Sequence, residues 1–202
     1  MDNLVKEVLT YRLEDKEAVD EVASRRLYLN DNIDENVIDY IVYNILRYNR
    51  EDRDKPIKDR KPIRLYINTC GGDVCCGFGV IDAILQSQTP VYTINQAACY
   101  SMGFLIFLSG SKRYSMEHST FLCHDGMTGA LDSTAKVKDR IEFEAGQMEE
   151  SVREYILDRT SITHDLYKEK YRTEWYMYSQ EAKELGVVTD IVGEDCTLDA
   201  IL

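Results

Sequence analysis

The chain has 202 residues, with 36 acidic against 24 basic side chains and a formal net charge of −12. That length suits one domain with a sizeable core, and 44% hydrophobic with 30% charged residues is ordinary for a globular protein. So acidic a chain has no electrostatic case for binding a nucleic-acid backbone or an anionic membrane, and no apolar run reaches the roughly 20 residues that span a bilayer.

Residues 1–24 are polar and only weakly periodic. They read as an N-terminal arm, helical or mobile, without the apolar stretch of a secretory signal. Residues 25–202 read as a single domain. "RRLYLN" (25–30) alternates like a short strand. "DENVIDYIVYNILRYNR" then places Val37, Ile38, Ile41, Val42, Ile45 and Leu46 at helical spacing, with Asp34 as N-cap. The charged, proline-bearing stretch 51–61 reads as a surface insertion.

"PIRLYIN" (62–68) reads as a strand ending at a Gly-Gly pair. A helix is expected from Val74 to about Gln88, turning Val80, Ile81, Ile84 and Leu85 inward, and Pro90 stops it. "VYTI" (91–94) reads as a second buried strand. Ser101 follows, then an apolar helix that ends by Gly110. "STFLCH" (119–124) is a third strand, closing at His124. Alternating strands and helices imply parallel strands with crossover helices, hence an α/β fold.

One long helix is expected over 133–158, with Val137, Ile141, Ala145, Met148, Val152 and Ile156 on a stripe. Such a helix needs something to pack against, and a second copy of the chain is one answer. "SQEAKELG" reads as a short helix with Ser179 as N-cap and Gly186 just past its end. "VVTDIV" (187–192) closes the chain with a last strand.

Of six cysteines, Cys70, Cys75 and Cys76 crowd into "CGGDVCC". No CxxC pair recurs and no histidine is near in sequence. The metal reading therefore yields to buried, reduced thiols acting as small hydrophobes in a cytoplasmic compartment.

The chemistry gathers at one sheet edge. Ser101 lies at a strand-to-helix junction, where unpaired backbone N–H groups could face a developing oxyanion. Gly72 ends one strand and could present its N–H to the same cleft, with the Met102 N–H as a second donor. His124 ends a neighbouring strand. In parallel α/β sheets the functional crevice lies at the carboxyl ends of the strands. Taken singly, these residues read as a helix cap, a turn and a hydrogen-bonded surface histidine. Met at an edge together, they read as a nucleophile, a base and an oxyanion hole.

The stretches "PIRLYINTCGGDV", "GVIDAI", "SMGFLIFLSG", "KRYSMEHSTFLCH" and "EAKELGVVTDIV" resemble the proteolytic subunit of the Clp protease family, from about Arg25 to Gly193. The resemblance implies a serine peptidase of the crotonase-like α/β superfold, a spiral of ββα-type units. It assigns Ser101 of the Ser-Met-Gly motif as nucleophile, His124 as base, and Gly72 and Met102 as oxyanion donors. It also implies stacked rings, usually heptameric, that join through a handle helix (133–158) and enclose the active sites. Polypeptides would be the substrates, fed by an AAA+ unfoldase that alone uses ATP; the peptidase itself would need no cofactor and no metal.

The sequence departs from the family pattern in several places. Cys99 and Tyr100 replace small residues, "HDG" stands where the family has His-Gln-Pro, and the loop 51–61 is longer. Glu174 occupies the position of the third triad member, usually aspartate; Asp190 is a weaker candidate. These departures keep a catalytically impaired, ring-forming paralogue as the alternative. A hydratase-like enzyme of the same superfold and a capsid-maturation peptidase of phage origin are further readings.

Overall fold

The computed structural model describes residues 23–126 and 131–202. The N-terminal arm expected over 1–24 falls almost wholly outside them. Strand β2 (Ile63–Thr69) buries nearly every side chain, as a strand covered on both faces must. It pairs in parallel with β1 (Arg26–Leu29) on one side and β3 (Val91–Tyr100) on the other. β4 (Lys112–Met116) and β7 (Asp190–Val192) complete the main sheet in the order β1-β2-β3-β4-β7.

The strand at 91–94 is longer than its apolar run. β3 continues through Asn95 to Tyr100, and there it changes partner. Tyr92–Asn95 pair with β4, whereas Ala98–Tyr100 pair with β5 (Thr120–Cys123). Buried Asn95 pins this fork: its Nδ2 donates to the Thr120 carbonyl at 2.9 Å, and its Oδ1 accepts from the Ala97 N–H at 3.1 Å. β6 (Trp175–Tyr178) then pairs antiparallel with β5. Among the described residues all other strand pairings are parallel, so the fold is α/β, with a small β3-β5-β6 layer budding from the main sheet.

Helix α1 runs from Glu35–Val37 through a π turn (Ile38–Val42) into Tyr43–Glu51. Asp34 caps it as expected, accepting from the Asn36 N–H at 2.9 Å. α1, α2 (Val74–Leu85) and α3 (Met102–Leu108) cover one sheet face and form the main core with it. Two residues of the expected apolar patterns face outward: Leu46 and Leu85 are exposed. α2 also ends at Leu85 rather than near Gln88, because Ser87 and Thr89 are drawn off to Asn49.

The 51–61 stretch is not simply a surface insertion. Asp52 is wholly buried and paired with Arg25, and Arg60 is buried as well. The expected long helix, α4, spans Thr134–Phe143, a π turn over Glu144–Met148, and Glu149–Arg159. Of its apolar stripe only Ile156 is buried; Ile141 and Ala145 stand exposed. α5 (His164–Lys170), β4 and β6 have no counterpart among the expected elements.

Ser179 opens α6 (Ser179–Glu184) but does not cap it. Its hydroxyl bonds Ser115 Oγ at 2.7 Å and the Met116 carbonyl at 2.7 Å, tying the helix to β4. Gly186 takes the expected left-handed conformation past that helix, with φ of 70°. The last strand is confined to 190–192. No helix among the described residues is long and apolar enough to cross a membrane.

Candidate active site

The site begins with a strained turn. Ser101 has φ 55° and ψ −122°, left-handed backbone for a residue with a Cβ. Such a conformation costs on the order of 1–3 kcal/mol and persists only where its surroundings impose it. Here they do. The Ser101 N–H donates to the Leu122 carbonyl at 3.0 Å, and the Ser101 carbonyl accepts from the Phe104 N–H at 3.0 Å. Behind the turn every residue from Met102 to Leu108 is buried. The apolar run is therefore a rigid mount that fixes the hydroxyl in place.

Small residues set how closely this mount approaches β2. A Cβ on Gly103 would lie 2.4 Å from the Thr69 methyl, and one on Gly77 would lie 2.3 Å from the Met102 side chain. Gly71 and Gly72 are both left-handed, with φ of 105° and 150°. A Cβ on Gly71 would sit 2.8 Å from the Ser101 Cβ, and one on Gly72 only 2.3 Å from the Ile33 carbonyl oxygen. The sequence singled out Gly72; the structure adds Gly71 as the residue that abuts the serine.

Gly72 is bridged to Ile33 through two hydrogen bonds. The Ile33 N–H donates to the Gly71 carbonyl at 2.9 Å, and the Asp73 N–H donates to the Ile33 carbonyl at 2.7 Å. This pattern leaves the Gly72 N–H outside the bridge. The Met102 N–H, first in its helix, belongs to the donors an α-helix cannot satisfy internally. Gly71→Ala is expected to displace the turn at Ser101. Peptide turnover should fall at least about tenfold while the circular dichroism spectrum stays unchanged, since positive φ and the short contact both oppose a methyl there.

Strand register brings the remaining groups together. Tyr100 pairs with Leu122 across β3 and β5, so His124 emerges just beyond Ser101. Cys123 pairs with Trp175 across β5 and β6, which sets His124 opposite Glu174. His124 Nδ1 and Glu174 Oε1 are 3.0 Å apart. The contact suits a neutral imidazole that donates from Nδ1 to the carboxylate and keeps the Nε2 lone pair. Among the described residues Nε2 and the Ser101 hydroxyl have no hydrogen bond. Asp190 pairs instead with Tyr114 across β4 and β7, away from this edge.

The cysteines divide by position. Cys99 and Cys123 are buried, and burial holds the first thiol well above its ordinary pKa and pushes the second up to about 12. Neither is available as a thiolate nucleophile. Cys70 and Cys75 are exposed, contrary to the expectation of buried thiols throughout. Among the described residues no three His, Cys, Asp or Glu side chains are grouped as metal ligands.

A parallel α/β sheet with a budding three-stranded layer and a long, largely unburied helix defines one fold class. The model of the Clp protease family matches residues 15–195, and the chain belongs to that family. A curated relative, the ATP-dependent Clp protease proteolytic subunit 2 of Treponema pallidum (strain Nichols), is 28% identical over 137 residues. That alignment covers 65% of this chain and 67% of the relative. A solved structure of a ClpP1 variant from Listeria monocytogenes superposes with a TM-score of 0.73 at 18% identity, over 90% of this chain and 96% of that one.

Proposed function

We propose that this Clp-family protein is a serine endopeptidase with Ser101, His124 and Glu174 as its triad. His124 Nε2 takes the Ser101 hydroxyl proton as the oxygen attacks the scissile carbonyl. The Gly72 and Met102 N–H groups receive the oxyanion. His124 returns the proton to the leaving amine, and water, activated by the same nitrogen, releases the acyl group and restores Ser101. Glu174 fixes the histidine tautomer and stabilises the imidazolium. The single observation that carries this reading is the 3.0 Å His124–Glu174 contact beside the strained serine.

The same proposal extends to a cytoplasmic, self-compartmentalised assembly of two stacked rings, heptameric by family resemblance, served by an AAA+ unfoldase that consumes the ATP. The exposed Ile141 and Phe143 on α4 support contact between copies there. Ile141→Asp is expected to halve the mass of the native assembly, measured by light scattering, because a buried unpaired carboxylate opposes association.

The impaired-paralogue reading draws on one observation. The Glu174 side chain is 60% exposed, and a solvated carboxylate orients a histidine less firmly. Hydrolysis of short fluorogenic peptides by the assembled protein, without ATP or partner, separates the readings. Turnover that disappears in Ser101→Ala supports the peptidase. Absence of turnover in the assembled wild type supports the paralogue.

A further inference from the structure

The second half of α1, the stretch after it and the end of α2 enclose a cavity of about 310 Å³. Arg60 precedes β2 and Gln88 precedes β3, whereas the Gly71-Gly72 turn and Ser101 follow those strands. In a parallel sheet this sets the cavity at the opposite end from the candidate active site. Leu46 and Ala83 give it an apolar side; Arg53, Arg60, Gln86 and Gln88 give it a polar one. It has two cations and no acid in its lining, on a chain of net charge −12.

Both walls are fixed. On one, the Lys55 N–H donates to the Asp52 carbonyl at 2.9 Å and the Lys55 carbonyl accepts from Arg60 Nε at 3.0 Å. On the other, Asn49 Nδ2 donates to Ser87 Oγ at 2.7 Å, and its Oδ1 accepts from the Gln88 N–H at 2.9 Å. Arg60 is only 8% exposed, yet its two terminal nitrogens have no hydrogen-bond partner and no ion pair among the described residues. Arg53 spends only its Nε, on the Arg50 carbonyl at 3.4 Å. The Gln86 and Gln88 amides are equally unengaged. Two helices end here, and their partial negative charge accounts for cations at this place. It does not account for a buried guanidinium whose fork is left unbonded, since such donors are costly without an acceptor.

We propose that this cavity binds a small aliphatic carboxylate. The carboxylate lies on the Arg60 fork, with Arg53 as the second cation, and the alkyl part covers Leu46 and Ala83. A guanidinium matches a carboxylate through two parallel hydrogen bonds. The helix C-termini offset part of the positive charge, which favours a single negative charge over a dianionic phosphate. Leu46, 56% exposed, gives the alkyl chain apolar surface to cover. The proposal stands apart from the peptidase reading and uses none of its residues.

The test uses the full-length protein and ligand-observed saturation-transfer NMR, which reads weak binding to a large assembly. The probe is hexanoate. Hexanamide carries the same chain without the charge, hexylammonium reverses the charge, and hexyl phosphate doubles it. Hexanoate is expected to bind at least about tenfold tighter than hexanamide, with hexylammonium silent. Arg60→Gln should remove that advantage, Arg53→Gln should weaken hexanoate about threefold, and Ser101→Ala should leave it unchanged. Should Arg60→Gln lose its circular dichroism spectrum, Leu46→Asn at an exposed position carries the test, with a loss of about threefold. A free acid and the last residue of a polypeptide share this chemistry, and N-acetyl-leucine separates them. Tighter binding than hexanoate assigns a chain terminus; weaker binding assigns a free acid. No hexanoate binding, equal binding of hexanamide, or tighter binding of hexyl phosphate would overturn the proposal. So would an affinity unchanged by Arg60→Gln and Leu46→Asn, or one lost in Ser101→Ala, which would place the probe at the other end of the sheet.

Discussion

Ser101→Ala is expected to lower kcat for peptide hydrolysis by about 10⁶-fold, to the level of catalysis without a nucleophile, with the fold intact. The methyl group fits the same backbone turn, because the hydroxyl makes no hydrogen bond among the described residues that the fold would miss. Glu174→Gln is expected to cost about 10³-fold, less than the roughly 10⁴-fold of a buried orienting carboxylate, since Glu174 is solvated. The amide can present either its oxygen or its NH₂ to Nδ1. Half of that choice stabilises the wrong tautomer, and neither form supports the imidazolium charge. Glu174→Asp should fall between wild type and Glu174→Gln, because the shorter side chain keeps the charge but lengthens a 3.0 Å contact. Steady-state kcat and KM with one peptide, across the three variants, check the order; KM should move little.

Asp52→Ala is expected to destabilise the fold by about 3–5 kcal/mol, a fall of about 10 °C in apparent Tm. Asp52 has no exposed surface and lies just past the end of α1. It receives the Arg25 guanidinium through both terminal nitrogens, Lys55 Nζ at 2.8 Å and the Thr89 hydroxyl at 3.1 Å. Removing the carboxylate leaves the buried Arg25 guanidinium with its Lys61 carbonyl contact at 2.9 Å and a partly exposed Glu51 at 3.8 Å. The Arg25 hydrogen bonds, above all, hold the Asp52 carboxyl far below the usual carboxylate range. A depressed folded-state pKa stabilises fully above the unfolded value, about 3.9, and that contribution is lost as pH falls towards the folded one. The Tm difference between wild type and Asp52→Ala should therefore be constant from about pH 8 to 5 and shrink below about pH 4. A difference that grows on acidification would contradict the assignment.

Much of the site was legible because its groups sit where strands end. Ser101 follows an apolar-to-helix switch, His124 closes "STFLCH", and the Gly-Gly pair closes "PIRLYIN". The backbone at Ser101 was not legible, since its positive φ is imposed by Leu122, Gly71 and the buried helix rather than by the serine itself. β3 read short because Asn95 and Gln96 interrupt the apolar run; Asn95 proves to be the buried pin of the sheet's fork. β4 was missed because "KRYSM" carries two charges on a half-open face. β6 was missed because "WYMY" reads as continuous aromatic bulk, although its burial alternates strictly. The ionic core at Asp52 was hidden in a charged loop, since its partner Arg25 lies 27 residues away.

The central claim is that Ser101 is an activated nucleophile. The most direct measurement is covalent labelling of the assembled protein with a fluorophosphonate, the modified peptide mapped by mass spectrometry, alongside Ser101→Ala. The account predicts one adduct per chain, on Ser101, absent from the variant and slowed in Glu174→Gln. A folded, assembled protein that takes no label at Ser101, or takes it equally in Ser101→Ala, would contradict it.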